Sequence, residues 1–405
     1  MNIKTYDITN SYRILITFVS CIITTACGVN PQNVDLGLNT TLPEVKTTVF
    51  SQAVRQLGRA NLIYGRGPVH VMSTSVFDKT GASLPTEGEI PQDISEMVKS
   101  TLNGFGGEIF YIPYDPEFMI SLAQTGYSEW GDKILPDVVL FGGLTEFDRG
   151  LVTKEEGFDI SAAAEEIGIL IGLDFEDTRK NSLASIALDL NLVDFKTFMG
   201  IPFIQAANTI NVQKGIGVNQ LGFTIYGQTV GLRGNIKKIQ GRHAAVRLLV
   251  QLSVIQVIGK YQKLPYWRLI PNSEPDSVIL DAVREEFYSL EPVDRIAKIQ
   301  EFLYLYNVDV EVTGLLDTRT LNAINAIKFE YSLQSKQPIS EEIYLTLFEN
   351  VPLDIKTQIR RKEVNAMINN YQSKLRGFAL SEAPALDTMP VNTSTESRTF
   401  ESQTG

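Results

Sequence analysis

The chain has 405 residues, of which 43% are hydrophobic and 20% charged, and its net charge is -11. That length suits two or three folded domains, and the acidic balance argues against nucleic acid as a partner. Two cysteines and two histidines leave no disulfide framework and no metal-ligand spacing.

Lys4 and Arg13 flank a polar start, and residues 14–23 form a short apolar core that ends in Thr24-Thr25-Ala26-Cys27-Gly28. A charged start, a short apolar segment and small residues before a cleavage point make a secretory signal. The small residues leading into Cys27 resemble a bacterial lipoprotein signal, with Thr24 standing where leucine is usual. The resemblance implies a signal peptide over residues 1–26 and a covalent lipid on Cys27 as the only attached group. Because Gly28 is not Asp, it also implies sorting to the outer membrane. Cys21 would leave with the signal. Residues 27–64 then read as a lipidated N-terminus and an extended linker, typified by Asn39-Thr40-Thr41-Leu42-Pro43.

Residues 69–78 read as a strand closed by the turn Asp78-Lys79-Thr80-Gly81. A loop leads to an amphipathic helix over residues 90–102, with Ile94, Met97, Val98 and Leu102 on one stripe. Phe110-Tyr111-Ile112-Pro113 is a second strand and residues 136–143 a third. Two alternating pairs follow. Ile167, Ile169, Ile171, Leu173 and Phe175 share one face, and so do Ala184, Ile186, Leu188, Leu190 and Leu192. Period-two patterning of this kind marks strands with one apolar and one polar face. The charged stretch over residues 176–181 joins these two runs as a first hairpin. Residues 208–218 and 221–232, turning at Asn219-Gln220, make a second. Runs of roughly ten residues match tilted membrane-spanning strands; a soluble sheet whose apolar face packs on helices gives the same pattern. Residues 242–259 form an apolar helix that stops at Gly259.

Taken in order, these elements predict an α+β core carrying a hairpin insertion. Phe77-Asp78-Lys79-Thr80-Gly81, Ile90-Pro91-Gln92, Phe110-Tyr111-Ile112-Pro113, the later Leu188-Asp189-Leu190-Asn191-Leu192 and the long apolar helix resemble the curli secretion channel (CsgG) family of outer-membrane lipoproteins. The likeness spans about residues 65–272. It implies a homo-oligomeric ring, usually a nonamer, in which each protomer lends two β-hairpins to one shared barrel above an α+β periplasmic core. On that reading Ile167, Ile169, Ile171, Leu188, Leu190 and Leu192 face lipid, and Ser185, Asp189 and Asn191 face the pore. The constriction aligns with Thr86, Glu87, Gly88 and Glu89. The aromatic and Asn residues that narrow the curli pore have no equivalent there, so Glu87 and Glu89 would form a cation-favouring carboxylate ring. A solvated surface loop is the alternative.

Past residue 272 the composition changes. Helical spacing recurs over residues 296–306, 321–329 and 340–348, with Asp317 and Ser340 as N-caps. The order Ile299-Gln300, Leu303, Thr313-Gly314, Leu316-Asp317, Thr318, Ala323-Ile324 and Phe329 resembles the small three-helix peptidoglycan-binding domain, over residues 292–350. The glycine that often follows the family's Asp is absent, and a three-helix interaction module that binds no glycan is the alternative. Residues 351–377 read as a further helix and 378–405 as a disordered Ser/Thr/Glu/Pro tail.

Neither His70 nor His243 has a catalytic context, and there is no P-loop or nucleophile elbow. The expectation is therefore not an enzyme. It is a lipid-anchored outer-membrane secretion channel with periplasmic domains, which exports or assembles a surface fibre, adhesin or appendage with accessory factors and is tethered to peptidoglycan. The alternative is a non-conducting structural ring or collar around an envelope-spanning machine.

Overall fold

A computed structural model describes residues 48–381 except 84–89, 114–119, 122–123, 126–133, 152–181, 215–219, 228 and 238–240. The described residues form a mixed α+β fold, one open eight-stranded sheet with eight α-helices.

The first helix corrects the expected linker. Residues 51–64 form α1 (Ser51–Tyr64), whose Ala53, Val54, Leu57, Ala60, Ile63 and Tyr64 recur at helical spacing and are all buried. Gly58 lets another segment reach the helix backbone, because a Cβ there would lie 2.1 Å from the Phe105 carbonyl oxygen. Gly65 ends the helix in the left-handed conformation (φ 63°).

β1 (Val69–Ser73) and β2 (Phe77–Asp78) divide the single strand expected over residues 69–78. α2 (Ser95–Asn103) and β3 (Ile109–Ile112) follow. The helix starts at Ser95, five residues after the expected start at residue 90. Pro91 disfavours helical backbone at Ile90, Asp93 bridges to Phe77, and its Oδ1 accepts the Ser95 N–H at 2.7 Å.

Five longer strands come next: β4 (Val138–Leu151), β5 (Ser182–Asp194), β6 (Gly200–Lys214), β7 (Gln220–Gly227) and β8 (Val230–Lys237). The sheet order is β3-β1-β4-β5-β6-β7-β8, with β2 also beside β4. β1 is parallel to β3 and to β4. From β4 to β8 the sheet is an antiparallel meander.

This register corrects the first expected hairpin and keeps the pairing of the second, in which β6 meets β7 from Asn208↔Gly227 to Lys214↔Leu221. β5 is paired on one side with β4, from Val138↔Asp194 to Leu151↔Ser182, and on the other with β6. With both edges of β5 occupied, the run ending at Phe175 is not its partner in this sheet; that run lies outside the described residues. The strand expected over residues 221–232 is two strands, because the chain folds back between Gly227 and Val230 and β7 pairs with β8.

α3 (Gly241–Tyr261) lies under β5 and β6, and α2 lies under β1 and β3. α3 is long and apolar enough to cross a membrane, but it is mostly buried inside the chain, as a core helix is. The apolar face of β5 packs on it: Ile186, Leu188 and Leu190 are 0% exposed and Leu192 1%. Leu188, Leu190 and Leu192 therefore sit in the protein's own core and do not face lipid. The alternation has the second cause considered above, a sheet face closed by helices.

Beyond a short 3₁₀ turn (Tyr266–Leu269) come α4 (Ser277–Ser289), α5 (Pro292–Leu305), α6 (Thr318–Glu330), α7 (Glu341–Asn350) and α8 (Ile355–Ser381). The last helix runs four residues past its expected end at 377. A single cluster of buried side chains joins α1, the sheet, α3 and these C-terminal helices.

Candidate functional site

Cys27, Thr86, Glu87, Gly88, Glu89, Ile167, Ile169 and Ile171 lie outside the described residues. Ser185, Asp189 and Asn191 share the sheet face turned away from the helices and are half-buried. Across the ladder Ser185 stands opposite Asp148 and Asn211, Asp189 opposite Gly143 and Ala207, and Asn191 opposite Phe141 and Gln205. Glu146, Thr209, Thr224 and Arg233 extend this polar surface across the meander. The sheet thus separates a dry helical side from a wet side, as its period-two pattern dictates.

His70 has a structural place on that outer side. Its Nδ1 lies 3.1 Å from Asp137 Oδ2, which also accepts the His70 backbone N–H at 2.8 Å. Its ring stacks on Phe110, with centroids 5.3 Å apart. The pair pins the start of β4 to β1.

Sequence reasoning missed a polar chain in the dry layer. Asn208, on β6, points into the apolar side and is 2% exposed. Its Nδ2 donates to Ser253 Oγ at 2.8 Å and to Gln256 Oε1 at 2.6 Å, both on α3. Gln256 Nε2 donates to Thr229 Oγ1, which lies 3.2 Å from the Tyr266 hydroxyl. Tyr266 in turn donates to Asp276, the N-cap of α4. Lys260 Nζ lies 3.6 Å from that carboxylate and donates to the Gln205 carbonyl at 3.0 Å. Burial, then the charge of Asp276, push the Tyr266 phenol well above its ordinary value. The links run from β6 through α3 to α4, so the chain fixes how the β6–β8 ribbon sits on α3 and where the C-terminal helices begin. The legible signals were Asn208 within an alternating strand, and Ser253 and Gln256 within an apolar helix.

In the C-terminal helices both expected caps are present. Asp317 Oδ1 accepts the Thr320 N–H at 2.7 Å, and Ser340 Oγ accepts the Ile343 N–H at 3.4 Å. Gln300, the second residue of the Ile-Gln motif, is 0% exposed. Its Oε1 accepts from the Thr313 and Gly314 amides, each at 2.9 Å. Its Nε2 donates to Thr313 Oγ1, Leu315 O and Thr320 Oγ1. One side chain therefore holds the whole turn between α5 and α6, and Gly314 (φ 70°) supplies the left-handed residue that turn requires.

These helices are bound to α1 by a buried ion cluster. Arg361 Nη1 meets Glu301 Oε1 at 2.7 Å, and Lys298 meets the other oxygen at 3.0 Å. Arg361 Nε also donates to the Ile63 carbonyl at the open end of α1. Burial pushes the Glu301 carboxyl up, but Lys298 and Arg361 overcome this and hold it below its ordinary value. The Tyr64 hydroxyl donates to the Phe348 carbonyl, with the two rings edge-to-face at 5.2 Å. Arg268 Nη1 donates to the Val351 carbonyl at 2.7 Å.

Compared with known families and with curated proteins, the chain matches none. Among the described residues no group of three or more His, Cys, Asp or Glu is placed to hold a metal ion.

Proposed function

We propose that this protein is a lipid-anchored outer-membrane lipoprotein whose α+β core assembles into a homo-oligomeric ring, exports a surface fibre, adhesin or appendage component, and is tethered to peptidoglycan through its C-terminal helices. The observation that supports it best is the length and direction of the meander. β4, β5 and β6 run 14, 13 and 15 residues, and β4 and β5 stay paired up to the chain segment that bears Ile167, Ile169 and Ile171. That segment, residues 152–181, and the shorter one at 215–219 are the parts assigned to the barrel. Its period-two apolar residues are the lipid-facing set, while Leu188, Leu190 and Leu192 belong to the core below. Ser185, Asp189 and Asn191, on the wet face, are assigned to the channel side. The C-terminal helices support the tether through the Gln300-centred turn and the order α5, α6, α7. No catalytic step is assigned.

A second reading, a non-conducting collar, is favoured by one observation. α3 already covers the apolar alternation of β5, so that strand needs no membrane to account for it. Imaging the oligomer purified in detergent, with planar-bilayer recordings, separates the two. A ring crowned by a barrel and conducting ions supports the channel, and Glu87→Gln with Glu89→Gln should then lower its cation preference. A ring without a barrel supports the collar, and a monomer refutes both.

A further inference from the structure

The C-terminal helices carry a groove of about 550 Å³ between the end of α4, the first turn of α5 and the start of α7. Its floor and walls include Tyr288, Arg295, Gln337 and Glu341. Tyr288 is 58% exposed, an unusual position for a large ring, and it is held rigidly. Its hydroxyl donates to Glu341 Oε2 at 2.9 Å, and its ring stands edge-on to Phe287, with centroids 5.2 Å apart. The Arg295 guanidinium lies 5.1 Å from the Phe287 ring centre and 5.9 Å from that of Tyr288, and donates to the Leu290 and Tyr288 carbonyls at 2.9 Å.

The charges in this groove are already answered. Glu341 is paired with Arg284, which with the Tyr288 hydroxyl holds its carboxyl below the ordinary value. Glu342 accepts the Gln334 and Ser335 amides. Arg295 is committed to two carbonyls. A site for phosphate or a metal ion would keep charge of one sign in hand, and this one does not. What it offers is an exposed aromatic ring beside the Glu341 carboxylate and the Arg295 guanidinium, each held by its own partners, with Gln337 also in the lining of the groove. That chemistry suits a neutral polyhydroxylated ligand, which stacks its C–H face on the ring and exchanges hydrogen bonds around its rim.

We propose that this groove binds a glycan strand, with Tyr288 as the stacking platform and Glu341, Gln337 and Arg295 as its hydrogen-bonding rim. The inference rests on the wall-tethering reading for the source of the glycan and adds the place where it is held. Tyr288 lies on α4, outside the three-helix segment that the sequence pattern picks out, so the site requires α4 packed against α5 and α7.

The test uses the full-length protein in detergent and two probes, the tetramer of N-acetylglucosamine by titration calorimetry and purified sacculi by co-sedimentation. Tyr288→Ala should weaken tetramer binding by about ten-fold or more and release the protein from sacculi, whereas Tyr288→Phe, which keeps the ring, should stay within about three-fold of the parent. Circular dichroism checks that both variants fold. Sacculi bound equally by the parent and by Tyr288→Ala would overturn the groove and leave the tether standing. Tetramer binding lost in Tyr288→Ala without any sacculus binding would support the groove and overturn the tether. A parent protein that binds neither probe would overturn both.

Discussion

Leu188→Ala decides whether the apolar face of β5 belongs to a core or to a membrane. Leu188 is 0% exposed, stands between Leu144 and Asn208 in the ladder, and lies under α3. Truncation removes three carbons, worth about 2.4 kcal/mol at roughly 0.8 kcal/mol each. The cavity left between sheet and helix adds to this, for a total of about 3–5 kcal/mol. With a urea dependence of roughly 3 kcal/mol per molar, the unfolding midpoint should fall by about 1–1.7 M. The assay is urea denaturation of the unlipidated Cys27→Ala protein in plain buffer, followed by near-ultraviolet circular dichroism. Ser185→Ala, on the wet face, is the control and should change stability by no more than about 0.5 kcal/mol. If Leu188→Ala leaves the midpoint unchanged in buffer and disturbs the protein only in lipid, the side chain faces the bilayer and the packing argument fails.

Four further outcomes are expected. Gln300→Leu strands the buried Thr313 and Gly314 amides and should cost about 2–5 kcal/mol, read as a lowered midpoint and faster proteolysis between α5 and α6; a loss below about 1 kcal/mol would refute its role as the hub of that turn. The Glu301 carboxyl is lower in the folded chain than in the unfolded one, so its stabilisation is present at neutral pH and lost as pH falls through that lowered value. Glu301→Gln should therefore flatten the acid limb of the stability profile, and an unchanged limb would refute the assignment. Deleting residues 292–350 should destabilise the sheet as well, because Tyr64 and Arg361 lose their partners, and a core of unchanged melting temperature would count against a shared core. Cys27→Ala should release the protein from the outer membrane on fractionation, and normal retention there would remove the lipid anchor from the proposal.

Patterns set by burial alone were legible in the sequence. The alternation of β5, the apolar run of α3, and Asp317 and Ser340 as caps each follow from a local rule, and each element is present. What failed depended on partners distant in the chain. Alternation tells which residues share a face, but not what covers that face, and the covering helix α3 begins some fifty residues later. Pattern alone pairs β5 with the nearest alternating run, yet the ladder pairs it with β4 across a thirty-residue connection, since loop length adds only slowly to the cost of closure. α1 was hidden by its composition: Gly58 and Asn61 lower its helical signal, but both serve contacts made on folding. Gly58 gives room to Phe105, and the Asn61 side chain donates to the Gly67 and Gly107 carbonyls at 2.9 Å.

The C-terminal segment shows why a boundary in composition is not a boundary in the fold. The sequence changes character after residue 272, and three of its helices follow a pattern of their own, which suggests a module that could be removed. The structure ties that module to the C-terminal end of α1, at Ile63 and Tyr64. A helix end leaves its last carbonyls without intrahelical donors, and Arg361 of α8 supplies one of them at Ile63 while remaining paired to Glu301 of α5. Two separately burying ions would each cost several kcal/mol, and only their mutual contact offsets that cost. The cluster is therefore formed when α1, α5 and α8 meet, and it falls apart if any one is withdrawn. On the proposed reading, load applied at a glycan-binding face on α4 and α7 would pass through this cluster into α1 and the sheet, so the C-terminal helices would act as a rigid tether and not a hinged one.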